Sequence, residues 1–108
     1  NSRSGTYTKI GRKVTLNGYI SVSNKGTSTG ACRIGAFPFT CANGDSFLSA
    51  ISMWLNTISF TGQYQGLVRP NTNYSDLGNV SEAGTFATLT DTNFTTNSEI
   101  IMCITYFV

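Results

Sequence analysis

From Val14 to Val22, apolar or small residues (Val14, Leu16, Gly18, Ile20, Val22) alternate with polar or amphipathic ones (Thr15, Asn17, Tyr19, Ser21). A period of two puts the two sets on opposite faces of a half-buried strand, whereas a helix would scatter them around its circumference. Thr6 to Ile10 is a second β-prone run, and Gly11-Arg12 between the two predicts a tight antiparallel hairpin, although Gly-Arg is weaker turn chemistry than Asn-Gly. At the other end, Glu99 to Val108 (EIIMCITYFV) is the most apolar stretch of the chain. Ile100, Met102, Ile104, Tyr106 and Val108 share one face of it and Ile101, Cys103 and Phe107 the other, so this strand is covered on both sides or faces a partner chain. A closing strand has to pair with elements made earlier, which predicts that it lies beside the opening hairpin.

Between these ends the pattern is more broken. Asn24 to Gly30 is a loop, and Ala31 to Thr40 (ACRIGAFPFT) predicts a strand that Pro38, lacking an N–H, must end or push to an edge or bulge. Asn43-Gly44 marks a turn. Phe47 to Phe60 is ambiguous: Phe47, Ile51, Trp54, Leu55 and Ile58 fit helical spacing, with Asp45 or Ser46 as a cap. Its Ser, Thr and β-branched content favours one long or bent strand, with a helix as the alternative. Gln63 to Arg69, Tyr74 to Leu77 and Thr85 to Leu89 are further strand candidates. Gly78 to Gly84 reads as loop, and Asp91 to Ser98 is polar apart from Phe94. Taken together, the pattern predicts an all-β, antiparallel β-sandwich (jelly-roll-like) of about eight short strands, with a small closed barrel as the alternative. At 108 residues, the chain has room for one domain, 1–108, and one core.

Composition narrows the function. Roughly a third of the residues are Ser, Thr or Asn and only 11% are charged, so hydroxyls and amides solvate the surface. The net charge of +2 is spread along the chain apart from Arg12-Lys13, which leaves no footprint for a polyanion such as nucleic acid. No apolar run is long enough for a membrane-spanning helix, and membrane insertion is not expected. Cys32, Cys41 and Cys103 make an odd count that reads as free thiols, with a Cys32 to Cys41 bridge left open.

The chain contains no histidine, which excludes Ser-His-Asp and Cys-His nucleophilic machinery. Zinc has neither a CxxC pair nor imidazole, and no spacing among Asp45, Asp76, Glu82, Asp91 and Glu99 selects a pair for glycoside hydrolysis. The glycines form no phosphate-binding motif, so no cofactor and no enzymatic activity are expected. Carbohydrate binding suits the composition better, because a sugar needs an aromatic face against its C–H side and planar amide, carboxylate or guanidinium partners for its hydroxyls. The candidates are Trp54, Tyr19 on the polar face of its strand, and Tyr64, Arg69, Tyr74 and Asp76 near the Pro70 turn. Packing in a core or subunit contact is the competing role for each, and Arg33 reads as a surface hydrogen-bonding residue.

The segment GTYTKIGRKVTLNGYISVS, followed by STGACRIGAFPFT, resembles the opening of C-terminal domains in tail fibres and tailspikes of tailed bacteriophages. There a YTKIG-containing hairpin leads, through a loop with a TG, into an RIxxxPF strand. The resemblance returns at Asn93-Phe94 and in the terminal ITYFV and is weak in the middle. It implies a non-enzymatic homotrimer at the distal end of a virion appendage, made in the bacterial cytoplasm and joined to upstream domains of the same fibre. Such a domain trimerises the appendage and has host surface polysaccharide as its expected partner; the alternative is a trimerisation or folding domain with no ligand of its own. The start at Asn1 rather than Met fits the C-terminal piece of a longer chain, and Asn1-Ser2 would fit release by self-cleavage.

Overall fold

The alternation at the start of the chain is realised as a hairpin of two nine-residue strands, β1 (Ser2–Ile10) and β2 (Lys13–Ser21), joined at Gly11-Arg12. Gly11 carries a φ of 58°, so glycine occupies the first central position, where a II′ turn needs a left-handed residue. The computed structural model describes residues 2–108; Asn1, and with it the Asn1-Ser2 junction, lies outside the described residues. Six further strands follow: β3 (Arg33–Ile34), β4 (Ser49–Ile58), β5 (Gln63–Val68), β6 (Ser75–Val80), β7 (Phe86–Thr88) and β8 (Phe94–Phe107). The architecture is all-β and antiparallel. One hydrogen-bonded path runs β1-β2-β8-β4-β5-β6-β3, with β7 on β6, and this sheet curls into a half-barrel.

β8 is the centre of the fold and pairs with β2 on one side and β4 on the other, so the two ends of the chain are neighbours. Its inward residues build rows across three strands: Leu16, Ile104 and Ile51; Gly18, Met102 and Met53; Ile20, Ile100 and Leu55. Ile104 and Tyr106 are fully buried. In the middle row Gly18 leaves the space that the Met102 side chain fills. Because β4 gives only Ser49 and Ala50 to β5 before running along β8, it is the strand at which the sheet bends. Gly66 of β5 makes the bend sterically feasible, since the Ile51 side chain occupies the place a Cβ would take.

Several boundaries differ from the pattern-based expectation. Phe47 to Phe60 is extended, not helical, and forms β4 after a short 3-10 turn at Asp45–Phe47. The strand expected over Ala31 to Thr40 shrinks to Arg33–Ile34 plus a single bridge from Ala31 to Thr90. Ala36 adopts a φ of 60° and Pro38 cannot donate, so this stretch leaves the ladder and crosses the open side of the half-barrel instead. It is held there by hydrogen bonds from Phe37 N–H to the Asn73 carbonyl (3.0 Å), from Cys41 N–H to Thr72 (2.7 Å) and from Ala42 N–H to Phe107 (2.8 Å). Phe37 is buried against Tyr106, whose hydroxyl donates to the Phe39 carbonyl at 2.8 Å. The apolar character of this stretch is therefore that of a core plug. Gly78 to Val80, expected as loop, belongs to β6, with the Phe86 ring covering the bare Gly78 backbone. β8 begins at Phe94, five residues before the apolar run.

All three cysteines are free, which removes the Cys32 to Cys41 bridge as an option. Burial, with Asp91 nearby, pushes the Cys32 thiol up, and burial does the same to Cys41, so both stay protonated at neutral pH. Cys103 is exposed on the outward side of β8. A maleimide or disulfide reagent at pH 7.5 is expected to modify the exposed Cys103 fastest, the half-buried Cys32 more slowly and the buried Cys41 only on unfolding, as peptide mapping would show.

Candidate functional site

The outward face of β8 builds the first candidate site by the same register that builds the core. Residues directly opposite in antiparallel strands share a face, and Ile101 lies opposite Tyr19 of β2 and Trp54 of β4. The row Tyr19, Ile101, Trp54 spans two strand spacings, about 10 Å. Trp54 is 48% exposed and Ile101 46%. The rows beside it are polar: Asn17, Cys103 and Ser52 on one side, and Ser21, Glu99 and Asn56 on the other. Glu99 accepts from the Tyr19 hydroxyl and from the Asn56 amide, each at 3.4 Å. These are long contacts that leave the carboxylate able to accept from a ligand.

One end of this strip is fixed by a bulge in β4. Thr57, a β-branched residue, sits at φ 57° where the register shifts between Asn56 and Ile58. The fully buried Ser98 secures it: its hydroxyl donates to the Thr57 carbonyl at 2.7 Å and accepts the Thr95 N–H at 2.8 Å. Asn56 and Glu99 therefore stand on backbone pinned from below.

The second candidate lies on the outward face of the other half of the sheet. Asp76 of β6 is 6% exposed and receives Arg33 Nε at 2.9 Å on one carboxylate oxygen and Arg69 Nε at 2.8 Å on the other. Arg33 also lies over the Tyr74 ring, 4.4 Å from its centroid. Burial pushes the Asp76 carboxyl up, but hydrogen bonds from Arg69 and Arg33 and their positive charges outweigh it and hold the group below its usual range. The sign follows: a depressed carboxyl stabilises the fold fully above its unfolded value, about 3.9, and that contribution is lost as pH falls through the lower folded value. Urea unfolding of the wild type should lose stability as pH drops below about 4 more steeply than unfolding of Asp76→Asn does.

Of the residues singled out by sequence, Trp54 and Tyr19 meet on the outward face of one half of the sheet, and Arg69, Tyr74 and Asp76 meet on that of the other half. Tyr64 joins neither group; its ring packs edge-on against Phe60 at 6.1 Å. Ile101, Glu99, Asn56 and Arg33 complete the two clusters and escaped sequence reasoning because each is brought in by long-range strand register. Arg33, for example, precedes its partner Asp76 by 43 residues. The chain matches no protein-family model, no curated protein and no solved structure, so both clusters stand on their geometry alone.

Proposed function

We propose that this chain is a trimerising, carbohydrate-binding domain of a bacteriophage tail fibre or tailspike, and that it binds polysaccharide on the outward face of β2, β8 and β4. The observation that carries the reading is the row of half-buried Tyr19 and exposed Ile101 and Trp54, flanked by Asn17, Asn56 and Glu99. Rings and an aliphatic side chain in one line offer flat apolar surface to the C–H faces of successive sugars, and the adjoining amides and carboxylate suit their hydroxyls. No titrating catalyst is needed, which accords with a chain that lacks histidine. The polar rows on either side favour a sugar over a protein here, because the centre of a subunit interface is normally broader and more apolar.

Support for assembly comes from β1. Among the described residues it pairs only with β2, and its side chains from Arg3 to Ile10 are exposed on both faces. A long unpaired edge is the kind of surface a neighbouring copy extends, and a head-to-tail pairing closes into a ring when its rotation is threefold. A trimerisation domain with no ligand is favoured by the exposed Ile101 in the row. Light scattering combined with affinity electrophoresis separates the readings. The proposal expects three times the 11.6 kDa chain mass and retardation by bacterial surface polysaccharide. A folded monomer overturns the assembly half, and a trimer that passes unretarded through gels of capsular and lipopolysaccharide glycans overturns the binding half.

A further inference from the structure

Resting on that reading, we infer that the polysaccharide is acidic and that Arg33 and Arg69, held by Asp76, form an oxyanion clamp for its carboxylate groups. Each guanidinium spends its Nε–H on Asp76, and both side chains remain about half exposed, at 53% and 50%. Among the described residues, their Nη groups have no further hydrogen-bond partner. Two planar forks are thus fixed by one buried carboxylate with their outer donors free. That is the arrangement that binds a carboxylate or sulfate in bidentate fashion, with little freedom left to lose on binding. Two positive charges against one negative leave the cluster at +1, and the depressed Asp76 carboxyl keeps it so at every pH of interest. Arg33 also lines a groove of about 470 Å³ whose other charged residues are Arg3, Lys25 and Asp91.

Register connects the clamp to the aromatic row. Asp76 lies opposite Leu67 of β5, and Leu67 lies opposite Ala50 of β4, so the clamp lies on the same outward side of the curled sheet as Trp54, beyond the bend at β4. Ala50 is about 13 Å along β4 from Trp54, and Asp76 is two strands further across, a span that an oligosaccharide covers. A structural ion pair alone would account for the buried Asp76, but one arginine would neutralise it. The second guanidinium is the excess that a ligand oxyanion would match.

Affinity electrophoresis of the full chain in gels of polygalacturonate, of its carboxyl-reduced neutral form and of dextran sulfate tests the inference. The wild type is expected to bind polygalacturonate about tenfold to a hundredfold more tightly than the reduced polymer, a preference that shrinks as salt rises. The triple variant R33Q/R69Q/D76N, neutral and close in size, should lose that preference while keeping its Trp54-dependent retention by the neutral polymer. R69K, which keeps the charge but not the fork, should lose most of it. Should the triple variant not fold, R69Q, which keeps the Arg33–Asp76 pair, reads the same contrast. Equal binding of dextran sulfate, lost in the same variants, supports the clamp and extends its ligands to sulfated sugars. Equal retention of the wild type by polygalacturonate and its reduced form overturns the clamp and leaves the aromatic platform standing. A preference that survives in the triple variant overturns the clamp as well. No retention by any of the three polymers overturns the clamp and counts against the platform too.

Discussion

Ile104→Ala is expected to lower the unfolding free energy by about 2–5 kcal/mol, while Ile101→Ala, three residues earlier on the same strand, changes it by less than about 1 kcal/mol. The two side chains have the same chemistry and sit on opposite faces of β8. Ile104 is fully buried between Leu16 and Ile51, so its truncation loses transfer free energy and opens a cavity that rigid neighbours fill only in part. Ile101 is nearly half exposed between Tyr19 and Trp54 and leaves no void when cut back. Urea denaturation at low protein concentration measures both, and for a domain of this size the larger effect corresponds to a drop in Tm on the order of 10–20 °C. Equal costs would mean that the outer row is as enclosed as the inner one, which is the signature of a subunit contact and favours the ligand-free trimerisation domain.

Trp54→Ala is expected to leave the fold and the assembly intact and to weaken polysaccharide binding by at least about 30-fold, the effect of losing an aromatic anchor worth 2 kcal/mol. The indole is the largest surface in the row, and its strand continues through the core at Met53 and Leu55. Removing the exposed ring therefore subtracts contact area for a ligand without disturbing what lies beneath. Circular dichroism and light scattering establish that the variant is folded and assembled, and affinity electrophoresis reads the loss. Unchanged retention would remove the row from the binding site. Dissociation of the assembly would instead place Trp54 between subunits.

The hairpin and the adjacency of the two chain ends were legible because they depend on local alternation and on a strand too apolar to stand at an edge. β4 was legible only as a balance of composition against helical spacing, and its bulge at Thr57 left no trace in the pattern. The length of β8 was hidden because its first five residues, Phe94 to Ser98, are polar apart from Phe94, and the buried one among them is Ser98. Ala31 to Thr40 misled for the opposite reason: its apolar residues fill the mouth of the half-barrel from irregular backbone, where burial imposes no period of two. The aromatic candidates were recognisable by residue type, but their arrangement was not. Which of five tyrosines stands beside the single tryptophan is decided by pairing between residues 19, 54 and 101, far apart in sequence.

The lone tryptophan makes the central claim directly measurable. Titrating the folded protein with polysaccharide that retards it should give a saturable change in Trp54 fluorescence, with a midpoint matching the affinity found by electrophoresis. A spectrum that stays constant through saturation, with the protein visibly bound, would contradict the assignment of the β2, β8 and β4 face as the binding platform.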